Sequence, residues 1–162
     1  MDHLWTPWRS TYMREKRDKP GCIFCHAASS PNDDSETLVV HRARLNFVIL
    51  NRYPYTSGHV MIAPYQHVSR LQQVADDTVE EMIRLARLAE RVIEQSYQPQ
   101  GLNIGMNLGE AAGAGIEQHI HLHVLPRWMG DANFMTSVGE TRIIPEDLTI
   151  TFAKLRDAFG SS

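Results

Sequence analysis

The sequence predicts an α+β fold built on an antiparallel sheet. Short runs rich in β-branched and aromatic residues follow one another at small spacing, and one long stretch switches to helical periodicity. The resulting order is strand, strand, strand, helix, strand, strand, helix, the order of an α+β domain. From the start of the chain, the charged "REKRDKPG" and the polar "SSPNDDSE" read as poorly structured segments bracketing Cys22 and Cys25. Residues 1 to about 36 are therefore expected to form an irregular N-terminal segment of a single domain spanning 1–162. "TLVVHRA" and "NFVILN" predict two antiparallel strands, and "GHVMIAP" a third, closed by Pro64. From Asp76 to Gln95, Val79, Met82, Ile83, Ala86, Ala89, Val92 and Ile93 fall on one stripe, with Glu80, Arg84, Arg87, Arg91 and Glu94 elsewhere. Asp76 to Thr78 offer N-cap candidates. "GLNIGMN" predicts a fourth strand, "EAAGAG" a flexible turn, and "HIHLHVLP" a fifth strand that Pro126 stops. Pro145 to Phe159 reads as a second helix, with Glu146 and Asp147 where a helix N-terminus favours acids.

The chain of 162 residues is long enough to bury a core without disulfides. Hydrophobic residues make up 43% and charged residues 22%, with a formal net charge of -3. That balance gives no reason to expect nucleic acid or an anionic membrane as partner. The opening "MDHLWTPWRS" lacks the apolar core of a secretion signal, and no stretch reaches the roughly 18 apolar residues of a membrane span. A cytoplasmic location is expected, and there the two cysteines, Cys22 and Cys25, suggest a metal or redox site before a disulfide.

"HIHLHVLPRW" holds the densest chemistry. On a strand, His119, His121 and His123 share one face while Ile120, Leu122 and Val124 turn into a core. A helical H-E-x-x-H zinc site fails, because no glutamate follows His119 and the alternating branched residues fit a strand better. A solvated strand face and a metal cage are the remaining alternatives to a catalytic group.

"HIHLHVL" resembles the signature of the histidine triad superfamily. With "LWTPWRSTYM", "CIFC", "LNRYPYTSGHVMIAPYQH", "GLNIGMNLGEAAGAG" and "LPRWMGDANF", it is similar to the branch containing diadenosine tetraphosphate phosphorylases, or ATP adenylyltransferases. The resemblance implies a five-stranded antiparallel sheet with two helices, paired into a homodimer. It also implies nucleophilic attack by His121 on an α-phosphorus, with His123 at the phosphate and His59 beside the triad, unless His59 is merely a satisfied buried histidine. Imidazole suits this work: with an unperturbed pKa near 6.5, neighbouring histidines can hold different protonation states. Asn51 matches a ribose-binding position, or is a plain turn residue; Asn107 aligns near the scissile phosphate. The loop "GEAAGAG" lacks the Gly-Lys-Ser/Thr of a P-loop, but Gly109, Gly113 and Gly115 would let backbone N–H groups approach phosphates. Arg127 is close enough in sequence to reach an anionic ligand, or equally to form an exposed salt bridge.

Two thiolates do not complete a tetrahedral zinc site. The resemblance supplies the other ligands: Zn²⁺ would sit between Cys22, Cys25, His67 and His119, with His26 and His41 as rivals. Trp5, Trp8 and Tyr12 beside Arg9 are expected to pack across a dimer or against the nucleotide pocket. The implied activity is phosphorolysis of diadenosine tetraphosphate to ATP and ADP, with inorganic phosphate as acceptor. A dinucleoside polyphosphate hydrolase, a nucleoside phosphoramidase, a metallohydrolase caged by the triad and a zinc-stabilised nucleotide-binding protein are the alternatives.

Overall fold

The computed structural model describes residues 21–133, 136 and 146–161; the expected packing of Trp5, Trp8 and Tyr12 lies outside them. Five strands form one antiparallel sheet: β1 (Val39–Arg42), β2 (Asn46–Leu50), β3 (Val60–Pro64), β4 (Gly101–Gly105) and β5 (Leu122–Arg127). Their spatial order is β1-β2-β3-β5-β4, so the triad strand is central and β4 is an edge. Every residue of β2 and β3 is buried, which is why these strands read as unbroken apolar runs.

The stretch expected to be irregular is partly helical: α1 (Ile23–Ser29) and α2 (Asp34–Thr37) fall within it. Phe24 and Ala27 bury fully on α1. From β1, Arg42 donates to the Ala27 and Ser30 carbonyls and pairs with Asp34 at 2.7 Å. Arg156 also pairs with Asp34 at 2.7 Å, and Arg52 donates to the Glu36 carbonyl at 2.9 Å, so a few apolar contacts and three arginines from beyond the segment order a stretch whose composition looks like linker.

The long helix, α3 (Asp76–Tyr97), lies across β2, β3 and β5. Its inward stripe is Met82, Leu85, Ala86, Ala89, Val92 and Ile93, while Ile83, expected on the stripe, is 51% exposed. Ala75 rather than Asp76 or Thr78 occupies the N-cap, leaving Asp76 and Asp77 in the first turn beside the positive helix end. Glu81 fastens α3 to the sheet, accepting the main-chain N–H groups of Leu45 and Asn46, each at 2.8 Å, and the Asn46 amide at 2.9 Å. The last helix, α4 (Leu148–Gly160), packs on α3 and β1, and Asp147 caps it by accepting from the Thr149 N–H. Glu146 accepts from the Tyr97 and Thr151 hydroxyls and pairs with Lys154.

Two details of the fifth strand depart from expectation. The ladder begins at Leu122 rather than His119: the Ile120 N–H donates to Val68, beyond the end of β3, at 2.8 Å. Pro126 does not stop the strand but sits inside it, opposite Leu102. The Arg127 carbonyl accepts the Gln100 N–H on the β4 side, whereas that of Pro126 accepts from Thr56 on the other side. The missing proline N–H therefore faces the side where pairing with β3 has already ended at Val60, and no ladder bond is lost.

Candidate active site and metal centre

The three histidines line one side of the β5 segment while Ile120, Leu122 and Val124 bury in the core, as the alternation predicts. Their side is not a solvated face: His119 and His121 are 0% and 5% exposed. The Phe24 ring of α1 covers both, at centroid distances of 5.1 and 4.8 Å. Sequence reasoning missed Phe24; its place between Cys22 and Cys25 was the available signal.

Each imidazole has a partner that sets its tautomer. His121 donates from Nδ1 to the His119 carbonyl at 2.9 Å, so its proton is on Nδ1 and the Nε2 lone pair is open for chemistry. His59 accepts the Tyr55 N–H at Nδ1 (3.2 Å), and the Asn51 amide faces the same nitrogen at 3.3 Å. Its proton is therefore on Nε2, donated to His123 Nδ1 at 2.9 Å, which leaves the neutral His123 with an N–H at Nε2. Burial pushes the His121 pKa below its ordinary 6.5, outweighing the hydrogen bond with the His119 carbonyl. Burial, helped by the neighbouring His121, brings His123 down to about 4. Both rings are neutral at pH 7.

His119 is turned the other way. It donates from Nε2 to the Pro64 carbonyl at 2.9 Å, so Nδ1 presents a lone pair toward Cys22, Cys25 and His67. The four donor atoms lie within 4.8 Å of one another. Cys22 Sγ and Cys25 Sγ are 3.4 and 3.7 Å from His119 Nδ1, and His67 Nδ1 is 3.1 Å from Cys25 Sγ and 3.2 Å from His119 Nδ1. Zinc bonds of about 2.0–2.3 Å to N and S place tetrahedral ligands roughly 3.3–3.8 Å apart, so these residues fit a metal of that size. Burial opposes ionisation of Cys22. The N–H groups of Cys25 and Phe24 at the start of α1 point at its sulfur and favour the thiolate. Burial and the adjacent Cys22 raise Cys25. The rivals His26 and His41 are not in the cluster; His41 stacks on Phe159 instead.

The other expected site residues are placed as follows. Asn51 ends β2, accepts the Tyr53 N–H at Oδ1 in a turn, and faces His59 with its amide. Asn107 is two residues past Gly105, which pairs with His123. In the Gly-rich loop the N–H groups of Ala112, Gly113 and Ala114 bond back to the carbonyls of Gly109 and Glu110. Arg127 is tied to Asp131 by two bonds, at 2.6 and 2.8 Å, and to Asn103 at 2.6 Å.

Comparison with known proteins agrees with this arrangement. Residues 32–129 match the HIT domain family. An AP-4-A phosphorylase of Mycobacterium tuberculosis is 40% identical over 163 residues, covering 93% of this chain and 80% of that protein. The asymmetrical bis(5'-nucleosyl)-tetraphosphatase of Schizosaccharomyces pombe is 30% identical, over 57% of this chain and 50% of its own length. A crystal structure of a Zn-bound histidine triad family protein from Mycobacterium smegmatis superposes with a TM-score of 0.70 at 29% identity, covering 87% of this chain and 94% of that one. With its five-stranded sheet, its buried histidine side and a family match over most of its length, the chain belongs to the histidine triad family.

Proposed function

We propose that the protein is a nucleotidyltransferase that cleaves diadenosine tetraphosphate and passes the adenylyl group to inorganic phosphate. The observation that carries this reading is the His121 tautomer: Nδ1 is occupied by the His119 carbonyl, so the neutral ring has Nε2 available for attack. His121 Nε2 attacks the α-phosphorus, a P–N bond forms, and the bridging P–O bond breaks to release ATP. Phosphate oxygen then attacks the same phosphorus, the P–N bond breaks, and ADP leaves with His121 restored. His123, with its N–H at Nε2, donates to the phosphate oxygens as charge spreads over them, and His59 holds that tautomer through its own N–H. Asn51 and Asn107 are assigned to the ribose and to the phosphate. Arg127 is engaged by Asp131, so any contact with the substrate would require it to leave that pair. The similarity to a phosphorylase supports phosphate as acceptor.

The donor set of two thiolates and two imidazoles suits Zn²⁺, held by Cys22, Cys25, His67 and His119. Bound there, the ion would supply structural cross-linking between α1, the segment after β3 and the start of the triad.

The deciding experiment is incubation with diadenosine tetraphosphate, with and without phosphate, followed by acid-free trapping of labelled protein. ATP and ADP in equal amounts, dependent on phosphate, and a phosphoramidate on His121 are expected. His121→Ala should lose at least about a thousandfold in kcat. Release of AMP at the same rate without phosphate would make the enzyme a hydrolase, and normal turnover by His121→Ala would end the covalent reading.

A further inference from the structure

A dinucleoside polyphosphate extends beyond the scissile phosphorus as a strongly anionic chain, and among the described residues the groups near the triad strand offer little positive charge to meet it. Arg127 is closed on Asp131, and the N–H groups of Ala112, Gly113 and Ala114 are spent within their own turn. A cation does reach that loop from elsewhere. The guanidinium of Arg70 lies over Gly109, where an added Cβ would stand 3.4 Å from Nη1 and 3.8 Å from Nη2. Gly109 has φ +92°, a conformation that glycine adopts without strain, and its lack of a side chain leaves the guanidinium room to approach the loop backbone.

Arg70 makes no ion pair among the described residues. Its side chain stands on the wall of a groove of about 980 Å³, beside Leu71 and Leu108, so a polyanion has access to it. The same groove is also lined by Asp76 and by Glu80, whose charge is paired with Arg84 at 2.9 Å. The Arg70 backbone is held at both ends, its N–H donating to Gln73 Oε1 at 3.1 Å and its carbonyl accepting the Gln73 N–H at 3.0 Å. Two backbone connections link the Arg70 and Gly109 segments to the triad strand. Val68, two residues before Arg70, bonds to Ile120 between His119 and His121. Gly109 is four residues past Gly105, the strand partner of His123.

We propose that Arg70, seated over Gly109, is the subsite for the polyphosphate beyond the scissile phosphorus, binding the oxyanions of the nucleoside triphosphate that leaves. The planar fork of arginine matches two phosphate oxygens at once, which a lysine does not reproduce. The inference rests on the phosphorolysis reading for the identity of the leaving group, but not for the existence of the subsite.

The test compares ATP with AMP as ligands of the whole chain by calorimetry, for the wild type, Arg70→Gln and Arg70→Lys. Arg70→Gln should weaken ATP about tenfold and leave AMP unchanged, with Arg70→Lys between wild type and Arg70→Gln. The KM for diadenosine tetraphosphate should rise by a similar factor while kcat is largely retained, and thermal melting should show both variants folded. Gly109→Ala, which strains the backbone at φ +92° and so displaces the loop under the guanidinium, should weaken ATP in the same direction. Equal losses for ATP and AMP, or no loss for ATP in Arg70→Gln, would overturn the subsite. A wild type that binds ATP through Arg70 but does not consume diadenosine tetraphosphate would keep the subsite and remove the phosphorolysis reading.

Discussion

His123 stands between two imidazoles, its Nδ1 2.9 Å from His59 and its ring centroid 4.8 Å from that of His121. Protonating it would place N–H against N–H at the His59 contact, and burial resists the added charge as well. Burial and His121 bring its pKa to about 4 in the fold, below the ordinary 6.5. The working neutral form is therefore present above about pH 4 and lost below it. We expect the acid limb of kcat/KM to lie below 6.5, because burial lowers both His121 and His123; an acid limb centred at 6.5 or above would show that the two rings do not titrate as their surroundings require. In the sequence, the triad and His59 were legible from residue type and spacing, because alternation on a strand is a property of the backbone alone. The tautomers were not, since they depend on the His119 carbonyl, the Tyr55 N–H and a contact spanning 64 positions between His59 and His123.

Glu81 shows how one element is fixed to another. Burial disfavours its charge, but the Asn46 amide and the N–H groups of Leu45 and Asn46 outweigh that and lower its pKa below 4.5. A lowered carboxylate pKa stabilises the fold above the unfolded value and loses that contribution as pH falls through the folded one. Glu81→Gln should therefore lower stability by about 1–2 kcal/mol at pH 7, measured by urea unfolding, with the gap to the wild type narrowing below about pH 4. An unchanged gap at low pH would mean that charge is not what the contact supplies. α1 is a different case. At 7 residues it is too short to persist on its own propensity, and its supports are Phe24, Arg42 and the cysteine cluster. Cys22→Ser should lose stoichiometric zinc on purification without added metal and exchange the α1 amides faster, with the β2 and β3 amides unchanged; full zinc content in that variant would remove Cys22 from the ligand set. The strands and α3 were readable because burial leaves a period in the sequence. α1 was not, because its contacts are with Arg42, His67 and His119 far along the chain, and the inward choice of Leu85 over Ile83 turned on an angular difference that the periodic pattern could not resolve.

At the scale of the molecule, the sheet is asymmetric in its protection. β1 carries α4 against it, whereas β4 is an edge whose Asn103, Ile104 and Gly105 are exposed, with Ile104 at 49%. Such an edge is usually blunted or paired, which supports the proposal that two copies join here as a homodimer. Sedimentation should give twice the mass of one chain, and Ile104→Lys should shift it to a single chain; a monomeric wild type would refute the pairing. The two centres, finally, are joined by one residue. His119 gives its ring to the cysteine cluster and its carbonyl to His121. A substitution at position 119 that spared the main chain would leave the nucleophile its partner while the clamp came apart, and a shift of the main chain would disturb both. The clamp can thus be lost without the nucleophile, but the peptide unit at position 119 cannot move without disturbing both.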